Sequence, residues 1–194
     1  MRRGFFSERV RDAALGALGV EPGRRAVDVG AGTGFMTEAL LERGLEVVAI
    51  DESPPMLAVL AERFGETRVE CRVSDGRSLP LETGSVDYVV ANMYLHHVAS
   101  PSDAIREMVR ILRPGGGLAI TDLDAHEFEF LRDEHHDRWL GFDRAHVRGW
   151  LEHGGAKAIA ITSVGTTCDA TSAAGDTRAS INIFLALGVR PTTA

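Results

Sequence analysis

Apolar residues recur along this chain in two rhythms, as short continuous runs and as longer stretches with helical spacing. The short runs are rich in Val, Ile and Ala, which is typical of buried strands. They lie at about residues 25–30, 46–50, 68–73, 86–91 and 117–122. In most of the intervening stretches, apolar residues stand three or four positions apart, as at Ala104, Met108 and Leu112. Strands that alternate with such helices predict a parallel sheet covered on both faces.

Capping residues mark where the predicted helices begin and end. Ser53 before Pro54, and Ser100 before Pro101, place a hydrogen-bonding side chain at the N-cap and a proline in the first turn. A glycine after an apolar stretch, such as Gly19, predicts a helix end. The predicted helices cover residues 5–18, 35–43, 54–64, the stretch from 101 to the turn at 114, and 143–153.

The last third of the chain breaks this alternation. Two apolar runs, at about 158–164 and 180–187, are joined by a polar loop at 165–176 with no helix between them. Two strands joined without a helix must pair antiparallel. We therefore predict one α/β domain with a seven-stranded sheet, mostly parallel and finished by a C-terminal antiparallel hairpin, with helices on both faces.

Composition narrows the class of protein. The chain has 194 residues, 44% of them hydrophobic, which suits one globular domain with a sizeable core. Its formal net charge of −7 argues against nucleic acid as a partner. No apolar run approaches the roughly 20 residues of a membrane span, and the N-terminus lacks a signal-peptide core. Since the two cysteines, Cys71 and Cys168, lie far apart, we expect two thiols in a reducing cytoplasm.

The glycine-rich turn after the first strand is the clearest chemical feature. Residues 27–34 read Val-Asp-Val-Gly-Ala-Gly-Thr-Gly, and the second apolar run ends at Asp51. Because glycine lacks a Cβ and tolerates positive φ, such a turn can approach a ligand closely. A carboxylate at the end of the next strand is placed to accept hydrogen bonds from a ribose diol. The unit therefore predicts a site for a cofactor that contains a nucleoside.

The spacing of the glycines separates the candidate cofactors. A dinucleotide fingerprint has the form Gly-x-Gly-x-x-Gly, but the position where its third glycine would fall is Phe35. A phosphate-binding P-loop needs a lysine after the glycines, and none follows. Asp28 puts a negative charge beside the turn, which suits the cationic amino-acid end of a cofactor better than a pyrophosphate.

Further segments follow the turn at characteristic intervals. The set comprises residues 27–34, 50–56 (Ile-Asp-Glu-Ser-Pro-Pro-Met), 74–76 (Ser-Asp-Gly) with 79–80 (Leu-Pro) and 86–90 (Val-Asp-Tyr-Val-Val), and 112–116 (Leu-Arg-Pro-Gly-Gly). Together they resemble the small class I S-adenosylmethionine-dependent methyltransferases of the ubiquinone/menaquinone group, also called methyltransferase type 11. The resemblance covers roughly residues 20 to 190. It implies a Rossmann-like fold and S-adenosylmethionine as the methyl donor.

The resemblance also implies the residues of the cofactor site. They are Asp28, Gly30, Ala31, Gly32, Asp51, Glu52, Met56, Asp75, Gly76 and Asn92. The first four and Asn92 would surround the methionine moiety, Asp51 would bind the ribose, and Met56 and Asp75 would contact the adenine. Two simpler interpretations stay open, that Asp75 only opens a turn and that Met56 is a core residue. Asp87, at the opposite end of its strand, is expected to be structural.

Catalytic residues are harder to predict, because methyl transfer from a sulfonium depends mainly on alignment and desolvation. His96 and His97 follow the fourth strand at the edge of the sheet where a substrate would lie, and a histidine can act as a general base. The alternative is that they only fix this loop through hydrogen bonds. A second cluster of acids and histidines, at 122–126 and 133–136, matches no metal-ligand spacing, and we therefore predict no metal.

The predicted protein methylates a small-molecule acceptor and is a monomer or a homodimer. Residues 92–95 read Asn-Met-Tyr-Leu, unlike the Asn-Pro-Pro-Tyr of enzymes that methylate amino groups of nucleic acids. We divide the single domain into an N-terminal helical cap (1–19), a cofactor-binding core (20–125), a lid with the last helix (126–153) and a C-terminal hairpin (156–190).

Two other functions stay open at this point. A non-catalytic S-adenosylmethionine-binding regulatory module would have a substrate side filled by bulky side chains. A nicotinamide oxidoreductase is disfavoured by Phe35 and by the absence of a Tyr-x-x-x-Lys pair. Phe5, Phe6 and Trp139 suggest a partly apolar acceptor. Nothing in the sequence selects oxygen, nitrogen, sulfur or carbon as the acceptor atom.

Overall fold

The computed structural model describes residues 7–65 and 68–192. This part of the chain contains a seven-stranded sheet. Its strands are β1 Arg25–Val29, β2 Glu46–Asp51, β3 Val69–Val73, β4 Val86–Asn92, β5 Leu112–Leu123, β6 Lys157–Thr171 and β7 Arg178–Val189. Their order across the sheet is β3-β2-β1-β4-β5-β7-β6. The first five strands in this order run parallel, and β7 pairs antiparallel with β5 and β6. The predicted fold class is confirmed.

Helices cover both faces of the sheet. They are α1 Glu8–Leu18, α2 Phe35–Glu42, α3 Pro54–Phe64, α4 Pro101–Ile111, α5 Phe130–His135 and α6 Arg144–His153, and a 3-10 turn, Leu95–His97, follows β4. The side chains of Ser53 and Asp143 accept N–H groups from the first turns of α3 and α6, at 3.4 and 2.7 Å. Phe5 and Phe6, at the predicted start of the first helix, lie outside the described residues. None of the described helices combines the length and the apolar character that a membrane crossing requires.

Two apolar layers hold the helices against the sheet. On one face, Leu15 of α1 packs with the buried residues of α2 and α3. On the other face, Ile105 of α4 and Leu151 of α6 are fully buried. Neighbouring residues of β4 point to opposite layers, Val89 to the second and Val90 to the first. The central strands are therefore apolar on both sides, which explains their continuous hydrophobic runs.

The parallel register brings the carboxyl ends of β1, β2 and β4 together. Val29 at the end of β1 pairs with Ile50 of β2 on one side and with Ala91 of β4 on the other. The strand order reverses at β1. The strands β2 and β3 lie on one side of β1, and β4, which follows β3 in the chain, lies on its other side. In open α/β sheets, ligands bind in the crevice outside the carboxyl ends at such a reversal.

The fifth strand starts earlier than the sequence predicts. We expected the Pro-Gly-Gly-Gly segment at 114–117 to be a turn before the strand. In the structure β5 already begins at Leu112, which pairs with Val86, and after an irregularity in register Gly117 pairs with Tyr88. Gly115 has a φ of 82°, which only glycine adopts readily. The segment is therefore an irregularity inside the strand.

Most of the predicted polar loop at 165–176 is strand as well. β6 extends to Thr171, and only the residues between it and β7 form a turn. Cys168 and Ala170 are buried and pair with Ile181 and Ala179 of β7. Small and polar residues alternate here with the period of a strand. Their low hydrophobicity hid the strand in the sequence.

Candidate functional site

The glycine turn after β1 is tied to the end of β2 by three backbone donors. The N–H groups of Gly30 and Ala31 donate to the carbonyl oxygen of Ile50, at 2.8 and 3.0 Å. The N–H of Gly32 donates to Oδ2 of Asp51 at 2.8 Å. Gly30 and Gly32 have φ values of 73° and 52°, where a side chain would add strain. The turn is thus held in one conformation beside the Asp51 carboxylate.

The Asp51 carboxylate is anchored through both of its oxygens. Oδ2 accepts from Gly32, and Oδ1 accepts from the N–H of Ser53 at 2.9 Å. A carboxylate oxygen has two acceptor positions, so that each oxygen keeps one for a ligand. A pair of vicinal hydroxyl groups would find two acceptors that are already oriented.

Asp28 lies under the turn and is only 1% exposed. Its Oδ2 accepts a hydrogen bond from the hydroxyl of Thr37 in α2 at 2.7 Å. Burial raises the pKa of Asp28 to about 6; hydrogen bonds from Thr37 oppose this shift, and the charge of Asp51 adds to it. A cation nearby would favour the ionised form of this carboxyl group.

A cavity of about 160 Å³ lies over the glycine turn at the carboxyl ends of β1 and β4. Its walls include seven of the expected site residues, Asp28, Gly30, Ala31, Gly32, Asn92, His96 and His97. Phe35, Met36 and Met93 contribute apolar surface. The side chain of Asn92 is fixed by the hydroxyl of Thr121 in β5, which donates to Oδ1 at 2.7 Å.

A second cavity, of about 70 Å³, collects three more of the expected residues. Glu52, Asp75 and Gly76 line it, and His97 and Arg138 close its other side. His97 belongs to both cavities. The walls of the two cavities therefore contain eight of the ten residues expected to bind the cofactor, all except Asp51 and Met56.

Asp75 and Met56 are the two residues for which a simpler interpretation was left open. Asp75 does open a turn, since its Oδ1 accepts the N–H of Arg77 at 3.0 Å and its Oδ2 accepts Nε of Arg77 at 2.8 Å. These bonds, the backbone one first, hold the pKa of Asp75 below its ordinary value. Met56 is 45% exposed, so that it is not a core residue, and it belongs to neither cavity wall.

His96 is held from behind by a carboxylate of β5. Its side chain is completely buried, and its Nδ1 lies 2.7 Å from Oδ1 of Asp122. Asp122 also accepts the N–H groups of Leu95 and Leu123, each at 2.8 Å, so that the carboxylate is itself fixed. In a neutral imidazole, Nδ1 then donates to the carboxylate and Nε2 is the basic nitrogen.

His97 and Asp137 complete this polar group. The His97 side chain is 41% exposed, and its ring centroid lies 4.1 Å from that of His96. Partial burial, and then the charge of His96, lowers the pKa of His97. Asp137 is buried, with its Oδ1 at 3.9 Å from Nε2 of His96 and at 4.0 Å from Nδ1 of His97. Asp137 is not among the residues predicted from the sequence, where it stands directly after the charged cluster at 133–136.

Most of the acids and histidines that the sequence singled out after β5 do not join this group. Asp124 forms a two-pronged ion pair with Arg144, at 2.7 Å for both contacts. Glu134 accepts the N–H of Ala173 at about 3 Å, on the hairpin side. Of the cluster at 122–126 and 133–136, Asp122 is the residue that reaches His96.

Known proteins match the central part of this chain. Residues 27–120 match the family model described as a methyltransferase domain. An uncharacterised methyltransferase of Mycobacterium tuberculosis is 44% identical over 98 residues, which are 50% of this chain and 39% of that protein. A demethylmenaquinone methyltransferase of Renibacterium salmoninarum is 35% identical over 122 residues, 63% of this chain and 51% of that protein. The chain thus spans about half the length, or less, of these curated relatives.

A solved structure shares the fold over nearly the whole chain. Phosphoethanolamine N-methyltransferase 2 of Haemonchus contortus, in complex with S-adenosyl-L-methionine, has a TM-score of 0.76 at 21% identity. The match covers 95% of this chain and 53% of that protein. This likeness shows the fold alone. The class follows from the family match, which makes residues 27–120 a methyltransferase domain.

Tyr94 is a residue of the methyltransferase domain that the sequence analysis did not single out. A side-chain carbon added at Gly30 would collide with its ring, and one added at Gly76 would collide with its hydroxyl. The ring therefore bridges the two cavities. Burial and the nearby carboxylates of Glu52 and Asp51 raise the pKa of the phenol. Within the described ranges, no hydrogen-bond partner reaches the hydroxyl. The sequence signal that could have identified Tyr94 is an aromatic residue two positions before His96.

The segment at 126–142, beyond the methyltransferase domain match, packs on the turn that carries the histidines. The N–H groups of Arg138 and Trp139 both donate to the carbonyl oxygen of His96, at 2.9 and 3.1 Å. The indole Nε1 of Trp139 donates to the carbonyl oxygen of Val98 at 2.9 Å. These bonds place the segment beside the larger cavity, where the predicted lid would have to lie.

Proposed function

We propose that this protein is a methyltransferase that takes a methyl group from S-adenosylmethionine and transfers it to a small-molecule acceptor. The observation that carries the proposal is the order of groups along the sheet edge. The glycine turn, Asp51 and Asp75 follow one another at the carboxyl ends of β1, β2 and β3. A nucleoside that carries a cationic amino acid has its polar groups in the same order.

Each part of the donor has a place in this arrangement. The methionine moiety would lie against the backbone at 30–32, with its ammonium group toward Asp28 and Asn92. The ribose hydroxyls would use the open acceptor positions of Asp51, next to Glu52. The adenine would lie by Asp75 and Gly76, and the exposed Met56 would pack on its face. These assignments are supported by the cavity walls and by the anchored carboxylates.

The reaction is an in-line displacement at the methyl carbon. A lone pair of the acceptor forms the new bond to carbon while the carbon–sulfur bond breaks, and its electron pair returns to sulfur as a thioether. The positive charge of the sulfonium disperses, so alignment and exclusion of water supply most of the acceleration. A hydroxyl or thiol acceptor also loses a proton, and His96 and His97 line the cavity where it would be released.

The size of the cavity supports a small acceptor. About 160 Å³ over the turn, partly lined by Phe35, Met36 and Met93, admits a small reactive end with apolar character. The segment at 126–142 restricts the same side through its bonds to His96. A cytoplasmic location and a monomeric or homodimeric state stay part of this proposal on sequence evidence alone.

Calorimetric titration tests the donor. We expect S-adenosylmethionine and S-adenosylhomocysteine to bind at micromolar level, about −8 kcal/mol, and NADH to bind much more weakly. Binding of NADH without binding of the sulfonium would refute the proposal. A screen of small acceptors, read out as formation of S-adenosylhomocysteine, then identifies the substrate. Hydroquinones belong in the screen, because one relative carries the name demethylmenaquinone methyltransferase.

A non-catalytic module that binds S-adenosylmethionine is the second candidate. The observation that favours it is the size of the cavity over the glycine turn, because about 160 Å³ leaves little space for an acceptor beside the methionine moiety. Such a module would bind the donor in the titration and form no S-adenosylhomocysteine with any acceptor. Turnover with one acceptor would exclude it.

A further inference from the structure

Two histidines and a carboxylate converge on the wall of the larger cavity, although they lie far apart in the chain. One nitrogen of His96, one nitrogen of His97 and one oxygen of Asp137 all lie within 4.8 Å of one another. The Asp137 oxygen is 3.9 Å from Nε2 of His96 and 4.0 Å from Nδ1 of His97. Both separations exceed the roughly 3.2 Å limit of an N–H···O hydrogen bond. They leave room for an ion between the three atoms.

The spacing is close to that of a three-ligand metal site. Ligand atoms about 2.0–2.2 Å from a tetrahedral zinc ion lie about 3.3–3.6 Å from one another. The two separations from Asp137 are about 0.3–0.7 Å longer than these values, and the two histidine nitrogens lie within 4.8 Å of each other. The His97 side chain is 41% exposed, so that its rotation can shorten its own separation from Asp137. Two imidazoles and a carboxylate are a donor set that zinc and iron(II) use.

Asp122 gives His96 the support that metal-binding histidines have. It lies 2.7 Å from Nδ1, which leaves Nε2 to face Asp137. The carboxylate is fixed by the N–H groups of Leu95 and Leu123. A carboxylate behind a ligating imidazole sets its tautomer and orientation and strengthens its basicity. His96 is therefore presented as an oriented ligand.

The charges of the group also suit a cation. Asp122 is 0% exposed and Asp137 is 3% exposed. Two buried carboxylates beside the imidazoles attract a divalent ion to this place.

We propose that His96, His97 and Asp137 bind one divalent transition-metal ion of the zinc or iron(II) type. Three protein ligands leave a coordination position for a further ligand, as in catalytic zinc sites. Because His96 and His97 line the larger cavity, this position faces the place proposed for the acceptor. The prediction of no metal rested on the spacing of residues 122–136, and Asp137 lies just outside that cluster.

The role of the ion, though not its existence, rests on the proposed function. A metal-bound hydroxyl group has a lowered pKa and is deprotonated more readily near neutral pH. The ion would then take over the part of a general base from the two histidines. The acceptor class narrows to molecules with a metal-binding oxygen, such as phenols and hydroxy acids.

Metal titration of the full chain, without an affinity tag and after chelator treatment, tests the site. Calorimetry with Zn²⁺ and visible absorption with Co²⁺ should each show one ion per chain. Asp137→Asn should lower the affinity for Zn²⁺ at least tenfold, and Asp122→Asn should lower it about 10- to 100-fold, the range for a lost outer partner. Asp133→Asn is the matched control, because Asp133 is an exposed carboxylate in the same segment. Its affinity should equal that of the wild type.

Two results would overturn the metal site. One is that neither ion binds stoichiometrically to the wild type, and the other is that Asp137→Asn and Asp133→Asn bind Zn²⁺ equally well. If Asp137→Asn does not fold, His97→Gln provides the same test at a partly exposed position. A parallel titration of metal-free protein with S-adenosylmethionine separates the two proposals. Donor binding without metal binding removes the metal site alone, and metal binding without donor binding removes the proposed function alone.

Discussion

The part of the cleft proposed for the donor is built differently from the part proposed for the acceptor. The donor side is centred on the glycine turn and Asp51, and the acceptor side on His96. The centre of the donor side is one βαβ unit, in which Gly32 and Asp51 are joined by a hydrogen bond across 19 positions of the chain. The acceptor side is assembled from three distant parts. Asp122 at the end of β5 reaches His96 across 26 positions, and Trp139 reaches Val98 across 41.

This difference explains what the family match contains. It covers residues 27–120, which include the glycine turn, Asp51, Asp75 and the histidine pair. Asp122 and Asp137, which surround His96, come after its end. Most of the residues proposed to bind the donor thus lie within the matched domain, whereas Asp122 and Asp137 lie outside it. The identity of the acceptor has to be sought there.

The largest effect that we expect concerns the stability of the acceptor side. His96→Ala removes a completely buried side chain and leaves the buried Asp122 carboxylate without its imidazole. The cavity left by the ring and the lost hydrogen bond to a buried carboxylate together cost about 3–5 kcal/mol of the free energy of unfolding. Urea denaturation measures this loss. His97→Ala, at a 41% exposed position, is the control and should cost less than about 1 kcal/mol. Equal losses would mean that Asp122 does not anchor the turn.

The next effect belongs to the donor side and depends on pH. The raised pKa of Asp28, about 6 against an ordinary 3.8, means that the folded protein ionises this group less readily than the unfolded chain. Stability therefore falls as the pH rises from about 4 to about 6, and the penalty stays constant above that range. At about 1.4 kcal/mol per pKa unit, it amounts to about 2–3 kcal/mol.

Asp28→Asn keeps the acceptor for Thr37 and removes the charge. We expect this variant to be more stable than the wild type at pH 7.5 by about 2–3 kcal/mol, with the difference vanishing below pH 4. Urea denaturation between pH 4 and 8 measures it. The exposed Asp12→Asn should show no such trend. If the free energy of unfolding of the wild type varied with pH in parallel with that of Asp28→Asn, burial would not raise the pKa of Asp28. In the same variant, the affinity for S-adenosylmethionine should fall, because the ammonium group loses its counter-charge.

A smaller effect tests the ribose site. Asp51→Ala should weaken the binding of S-adenosylmethionine by about 1–3 kcal/mol, the cost of a lost charged hydrogen-bond acceptor. Calorimetry measures this change. The turn also loses the bond from Gly32, so a lower thermal stability should accompany it. Asp12→Ala, which removes an exposed carboxylate paired with Arg43, is the control. Unchanged affinity in Asp51→Ala would exclude Asp51 from the ribose site.

The sequence predicted the donor side well because local geometry fixes its spacing. A strand, a tight turn, a helix and a second strand leave little freedom between the glycines and Asp51, and the helix predicted at 54–64 has the same bounds in the structure. Ser53 and Pro54 predicted where this helix begins. The Ser53 side chain accepts a free N–H group of the first turn, and Pro54 has no N–H group that needs a partner.

The rest could not be predicted for two physical reasons. Tertiary contacts such as those of Asp137 with His96 and His97 have no fixed spacing in the chain, so that no pattern marks them. The part of β6 beyond residue 164 consists mainly of small and polar residues. Its strand conformation depends on pairing with β7 and not on a hydrophobic pattern. Tyr94 shows the first difficulty again. The residue is visible in the sequence, but the orientation of its ring across the groove depends on the packed structure.

Tyr94 lies where the two sides meet, and it gives the smallest expected effect. If the ring has to leave the groove before a nucleoside enters, the cost of moving it lowers the apparent affinity of the donor. Tyr94→Ala should then bind S-adenosylmethionine about 3- to 10-fold more tightly than the wild type. Tyr94→Phe keeps the ring and removes a hydroxyl that lacks a partner among the described residues, so that its affinity should match the wild type while the free energy of unfolding rises by about 1 kcal/mol.

Calorimetry on the wild type, Tyr94→Ala and Tyr94→Phe distinguishes between two roles of the Tyr94 ring. Weaker binding by Tyr94→Ala would make the ring a surface on which the nucleoside packs. The groove would then be open to the donor as it stands. Tighter binding would mean that the donor side, although built from local contacts, is closed by a residue of the turn that carries the acceptor-side histidines. The two sides would then be coupled, since binding of the donor would move the residue two positions before His96.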